Sequence, residues 1–151
     1  MITSARVWPH RLMTAIYWFL ALEFAFGAVT KFWPGPTFFG PAYSVKFADW
    51  GYPSWFRFVV GGIELVCALF LLIPRRRFRF IGAGALVLVL TGAVTTHILN
   101  HHPFSESVMA PTHLVIMAAI ALATWPADWR DLLRPAPRGQ LAVRRLMQAL
   151  R

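Results

Sequence analysis

The chain has 151 residues, of which 58% are hydrophobic and only 14% charged, whereas a soluble domain averages roughly 45–50% and 25%. A soluble fold of this size cannot hide four apolar runs of about twenty residues each, so those runs are expected to face lipid. The net charge of +9 sits between and beyond the apolar runs, which argues against nucleic acid as a partner, and the single cysteine, Cys67, excludes an internal disulfide, a Cys-x-x-Cys redox pair and a thiolate-rich metal centre.

In chain order, the predicted spans cover residues 12–33, 55–73, 80–99 and 108–125, which at a 1.5 Å rise per residue measure about 27 to 33 Å, enough to cross a bilayer. The first contains Glu23 and Lys31, exceeds the apolar stretch of a secretion signal and has no small-residue cleavage site after it, so it is expected to stay as a span. Residues 34–54 form a longer loop punctuated by Pro34, Pro36, Pro41 and Pro53. Phe38, Phe39, Tyr43, Phe47, Trp50 and Tyr52 give this loop too much apolar surface for a solvated linker. It is expected to lie on the bundle, as a lid or as an interfacial anchor. The second span stops before Pro74, and a short turn carrying Arg75, Arg76, Arg77 and Arg79 leads into the third. In lipid the backbone finds partners only within helices or a closed barrel, and four segments are too few for a barrel. The predicted fold is therefore all-α, an integral membrane four-helix bundle occupying residues 1–127. The basic tail, 128–151, is expected either to be disordered or to form a surface helix with Val143, Leu146, Met147 and Leu150 on one stripe.

Lys and Arg near span ends are retained on the cytoplasmic side. Twelve of the fifteen cations fall in the N-terminal segment, the turn after Pro74 and the tail, whereas only Lys31, Lys46 and Arg57 belong to the first outer loop. Both termini are expected to be cytoplasmic, in a cell membrane of the bacterial inner type. Trp8, Trp33, Trp55, Trp125 and Trp129 fall at or just beyond the predicted span ends, where an amphipathic indole is most favourable.

Ionisable groups inside a span cost about 2.5 to 3.5 kcal/mol each on insertion scales, so those present need a partner, a cavity or a task. Counting rise from the cytoplasmic ends puts Glu64, Glu23 and His113 at ~14 to 18 Å, and Arg57, His97 and Lys31 at ~24 to 28 Å. The polarity therefore gathers at mid-depth and on the outer side. Glu23, Gly27 and Lys31 follow i, i+4, i+8 spacing, with the glycine available for a neighbouring backbone to approach. Gly61 and Glu64 share a face of the second span, and Ala93 and His97 one of the third. The expected site is a polar pocket in the bundle interior, reached from the outer side and roofed by the aromatic loop, with Glu23, Lys31, Glu64, His97 and His113 binding a ligand or handling protons.

Each of these residues also has a plainer reading. Glu23 and Glu64 can lock helix order by accepting hydrogen bonds from His113, Thr30 or Thr112, or share a proton if they approach each other. Lys31 and Arg57 can snorkel to the interface, and His97 can join Asn100, His101 and His102 in a solvated cluster rather than a metal site. No phosphate-binding loop, Ser-His-Asp order or paired-histidine metalloprotease helix occurs, so no catalytic residue and no metal site is assigned.

Gly27-Ala28-Val29-Thr30-Lys31-Phe32, Gly51-Tyr52-Pro53-Ser54-Trp55-Phe56, Gly61-Gly62-Ile63-Glu64-Leu65 and Gly92-Ala93-Val94-Thr95-Thr96-His97 run in order across residues 15–125. In these the chain resembles the DoxX-like family of small four-span membrane proteins. Lys31, Glu64 and His97 match the family's recurring polar positions, while Glu23 and His113 come from their depth alone. The resemblance implies a four-span fold and diverse associations: subunits of a membrane thiosulfate:quinone oxidoreductase, redox-defence assemblies, and receptor assembly in an animal branch. Fold transfers better than activity.

Two functions follow as expectations. In the first, an outward-facing pocket binds a small amphipathic ligand, a quinone among the candidates, in a subunit of a membrane redox assembly. The chain carries no redox centre of its own, so autonomous catalysis is not expected, and a quinone or a partner would have to supply one. In the second, the chain is a non-catalytic scaffold or assembly factor, docking a membrane partner or a second copy through small-residue faces. A transporter is disfavoured by the small size and the lack of inverted repeats.

Overall fold

The computed structural model describes residues 7–38, 40–101 and 107–126, and the possible tail helix, Phe39, His102 and Trp129 lie outside that set. Among the described residues there are five helices and no strand: α1 Val7–Phe32, α2 Tyr43–Asp49, α3 Phe56–Leu72, α4 Arg76–Leu99 and α5 Met109–Ala123.

Prolines set most of the boundaries. Trp33 precedes Pro34, Ile73 precedes Pro74 and Trp125 precedes Pro126, and a residue before proline is pushed out of the helical region. The α1, α3 and α5 helices each end within two residues of such a site. Pro111 lies in the first turn of α5, where its missing N–H removes no intrahelical bond. The α2 helix forms within the segment 34–54 expected as a loop, and ends at Gly51 in the left-handed region (φ 80°). There the Gly51 and Tyr52 N–H groups donate to the Ala48 and Phe47 carbonyls at 2.9 and 2.8 Å, the paired bonds of a Schellman stop. The α4 helix starts at Arg76 rather than at residue 80. Arginine is a good helix former, and the guanidinium carbons of Arg77 and Arg79 lie over the rings of Phe78 and Tyr17 at 4.8 and 3.7 Å, so the turn after Pro74 shrinks to three residues.

The four longer helices pack in the order α1–α3–α4–α5. Their shared core holds Tyr17, Leu20, Ala21 and Phe24 of α1, Cys67, Ala68 and Leu71 of α3, Ala83, Leu86 and Leu90 of α4, and Met117 and Ile120 of α5. Two close approaches depend on glycine. A Cβ on Gly61 would stand 2.9 Å from the Phe32 ring and 3.1 Å from the Ala28 carbonyl, and one on Gly82 would stand 3.0 Å from the Cys67 carbonyl. Gly27 is different from expectation: nothing lies within 4 Å of its would-be Cβ, because it faces a cavity rather than a neighbouring helix.

The outward surface is apolar, with Leu12, Phe19, Leu22, Leu88, Leu99, Val115 and Leu122 all exposed. The hydroxyls of the exposed Thr91, Thr95 and Thr112 donate to their own i−4 carbonyls at 2.7 to 2.8 Å, which leaves them needing no outside partner. Two helical segments, Arg11–Phe32 and Arg76–Leu99, are long and apolar enough to cross a membrane. The other two expected spans form shorter helices of 17 and 15 residues, rising ~26 and ~23 Å.

Candidate functional site

A cavity of about 730 Å³ opens where the end of α1, the start of α3, the end of α4 and the start of α5 meet the folded 34–54 loop. Glu23, Lys31, Glu64, His97 and His113 all line it, and so do Tyr43, Lys46 and Asp49 of α2 and Trp50. Glu23, Asp49 and Glu64 are the acidic residues of the described segments, and all three face this one space.

Lys31 and Glu64 form an ion pair across α1 and α3, with Nζ 2.7 Å from Oε2 and both side chains largely buried. Gly61, one turn before Glu64, makes this possible by letting α3 settle against Ala28 and Lys31. The ammonium also donates to the Gly27 carbonyl at 3.2 Å and lies 4.9 Å from the centre of the Tyr43 ring. Snorkelling is therefore not what Lys31 does: an acid two turns deep in α3 holds it inside. Arg57 does sit at the rim, donating to the Trp33 carbonyl at 3.0 Å.

Glu23 pairs with a different base. His113 Nε2 stands 2.9 Å from Glu23 Oε1, and Nδ1 stands 2.7 Å from the Met109 carbonyl. A carbonyl only accepts, so Nδ1 carries a hydrogen, and one proton then lies between Nε2 and the carboxylate. Imidazolium with carboxylate and neutral imidazole with carboxylic acid are the two descriptions of that shared proton. Phe24 meets the same imidazole edge-on, with centroids 5.5 Å apart, which fixes the ring plane. Thr30 and Thr112, expected as alternative donors to the acids, donate to the Gly27 and Val108 carbonyls instead. Glu64 and Glu23 are thus each held by a base of their own.

His97 belongs to the last turn of α4 and meets Trp50 edge-on at 5.7 Å, inside the cavity rather than in a solvated cluster with the exposed His101. The roof is ordered by aromatic packing: Phe47 is buried, with Tyr43, Trp50, Tyr52 and Phe56 around it at 5.4 to 6.4 Å. A hydrogen bond of 3.1 Å joins Tyr52 to Thr96 of α4. Since the Thr96 hydroxyl donates to the Gly92 carbonyl at 2.9 Å, Tyr52 is the donor in that bond. Lys46 and Asp49 escaped the sequence reading as site residues, because their i, i+3 spacing has meaning only once α2 is known to be a helix. Among the described residues, no three His, Cys, Asp or Glu side chains gather as a metal site would require.

No curated protein and no solved structure gives a significant match to the chain. The family model of the DoxX-like family matches residues 15–122, a stretch that holds the whole of the cavity's polar lining and reaches almost to the end of α5. With two helices long and apolar enough for a bilayer, that match points to a membrane protein in contact with lipid, and the chain belongs to the DoxX-like family.

Proposed function

We propose that the chain is a multi-pass protein of a bacterial-type inner membrane. All four longer helices span, both termini are cytoplasmic, and the cavity faces outward as a binding site for a small amphipathic ligand. The observation that carries this reading is the gathering of two acid–base pairs, Lys31–Glu64 and Glu23–His113, in one cavity whose wall also holds Lys46, Asp49 and His97 among aromatic and aliphatic side chains. Its volume of about 730 Å³ lies within the range of roughly 300 to 1,000 Å³ of small-molecule sites.

The donor set suits a ligand with a flat, acceptor-rich head and an apolar body. Lys31 offers an ammonium with a third hydrogen beyond those directed at Glu64 and Gly27. The Glu23–His113 pair offers a proton that either partner can carry, and Phe24, Leu90 and Met109 offer apolar wall. A quinone fits these groups, its carbonyl oxygens accepting from Lys31 and His113, and when bound it would supply the two-electron chemistry that the side chains lack. The chain's own part is then to orient the head, exclude water under the Tyr43–Trp50 roof and hold a proton at Glu23–His113, as an accessory subunit of a quinone-linked oxidoreductase.

Native mass spectrometry of gently extracted protein tests this. Retention of a quinone or similar amphiphile is expected in the wild type, reduced at least several-fold in Glu64→Gln while the bundle stays folded. Wild-type retention in that variant removes the site assignment, and a stoichiometric membrane partner with no bound small molecule replaces it with the scaffold reading.

A further inference from the structure

One seam of the bundle is built unlike the others. The α1 and α3, α3 and α4, and α4 and α5 helices pack backbone against backbone, whereas α1 and α5 do not. That α1 and α5 are neighbours is shown by the side chains that cross between them: His113 reaches Glu23 at 2.9 Å and meets the Phe24 ring edge-on at 5.5 Å. The polar cavity occupies this seam, lined there by Glu23, Phe24 and Gly27 of α1 and by Met109, Ala110 and His113 of α5. One turn outward from Glu23, Gly27 brings no side chain across, and its would-be Cβ meets open space.

Toward the N-terminal half of α1 the same seam turns apolar. Ile16, Phe19 and Glu23 follow i, i+3, i+7 spacing on α1, and Met109, His113 and Ile116 follow i, i+4, i+7 on α5, so each partner of the Glu23–His113 pair stands in a stripe of apolar side chains. Ile16 and Phe19 are 38% and 67% exposed. The Glu23 side chain remains 32% exposed against 12% for His113, which puts the acid on the open edge of the pair.

We propose that the cavity takes a ring-headed lipid with one long apolar chain, and that the chain lies in the α1–α5 seam, through which the lipid enters and leaves sideways from the bilayer. This deepens the ligand reading given above and rests on it. A cavity of about 730 Å³ is of the size that encloses a drug-sized molecule, so it holds the head while a long chain must leave it. The outer end is covered by the α2 roof, which the Tyr52–Thr96 bond ties to α4 and the Lys31–Tyr43 contact ties to α1. A chain leaving through that roof would run into water, whereas a chain in the seam stays in hydrocarbon. The other apolar recess among the described residues, a groove of about 420 Å³ on α3 and α4 lined by Phe58, Gly62, Phe70 and Ala85, shares no lining residue with the cavity. A head held at Lys31 and His113 therefore has no continuous path into that groove. The Glu23–His113 pair marks the junction of head and chain.

The test reads where the chain lies. A benzoquinone bearing a decyl chain with a diazirine midway along it is added to the full-length protein in phosphatidylcholine nanodiscs and irradiated, and the labelled residues are mapped by peptide mass spectrometry with and without an excess of the same benzoquinone lacking the chain. Label is expected on α1 between Ile16 and Glu23 and on α5 between Met109 and Ile116, suppressed about five-fold or more by the chainless competitor. Label there that the competitor does not suppress is ordinary lipid contact and overturns the proposal. Suppressible label in the Phe58–Phe70 groove or on the Tyr43–Trp50 roof also overturns it, while leaving the cavity as the ligand site. Calorimetric titration with the chainless benzoquinone separates the two readings: binding of the head without suppressible label in the seam removes the seam alone, and absence of both removes the cavity reading together with it.

Discussion

Lys31 and Glu64 show how a charge is kept inside an apolar bundle: with side chains only 12% and 10% exposed, neither is solvated alone. Removing one leaves the other buried and unpaired, which costs about 3 kcal/mol or more, whereas removing both can be nearly neutral. Lys31→Met is accordingly expected to lower stability by about 3 kcal/mol, and Lys31→Met with Glu64→Leu to recover most of it, as measured by unfolding in detergent micelles. Additive losses would mean that the two side chains act independently. The Glu23–His113 pair calls for a different probe, since its content is a proton rather than a pair of fixed charges. In Glu23→Gln the side-chain amide can donate to Nε2, and imidazole nitrogen-15 spectra are expected to change from a proton-sharing Nε2 to an unprotonated one. Identical spectra would remove the shared proton from the account.

At the scale of helices, packing hangs on two glycines, each with a second glycine one or two residues on that is unconstrained. Gly61 and Gly82 face backbone at about 3 Å, while Gly62 and Gly84 face open space. Gly61→Ala and Gly82→Ala should each destabilise by about 1 to 3 kcal/mol through forced displacement of a helix, and Gly62→Ala and Gly84→Ala should be neutral or stabilise by up to about 1 kcal/mol through helix propensity. Thermal unfolding of the four variants checks the contrast, and equal shifts in all four would contradict the packing. The roof helix α2 is held differently, between glycines in the left-handed region, Gly40 and Gly51, and pinned to α4 by the Tyr52–Thr96 bond. Tyr52→Phe should cost about 1 kcal/mol and speed amide exchange in α2 relative to α3, a local loosening that global unfolding would not mimic.

For the whole molecule, the division of charge is the strongest signal: an arginine end, an acid-bearing cavity end, and apolar sides. In the proposed orientation, with both termini cytoplasmic, a fluorescent reporter fused to the C-terminus is expected to glow and a periplasmic phosphatase there to stay inactive; the reverse pattern would invert the bundle and turn the cavity inward. In the proposed four-span arrangement, the shorter rises of α3 and α5 would require the bilayer to thin locally or flanking residues to make up the difference. Such adjustment costs only a fraction of a kcal/mol per Å, so four spans of unequal length are compatible with one bilayer.

What the sequence determined by itself was one-dimensional. Hydrophobic run length predicted the four longer helices, proline marked where three of them stop, and cation counts produced an orientation. The candidate residues were legible because ionisable side chains are conspicuous in apolar runs, and rise per residue placed Glu23, Glu64 and His113 at mid-depth and Lys31 and His97 toward the outer side. Depth, however, carries no information about azimuth. Only the tertiary structure decided that Lys31 turns to Glu64 and Glu23 to His113, that His97 joins the cavity, and that Gly61 rather than Gly27 is the point of close approach. It also decided that α2 brings Lys46 and Asp49 to the same space. Those outcomes depend on how each helix is rotated about its axis, which is set by the packing of all four helices together and is not written in any one of them.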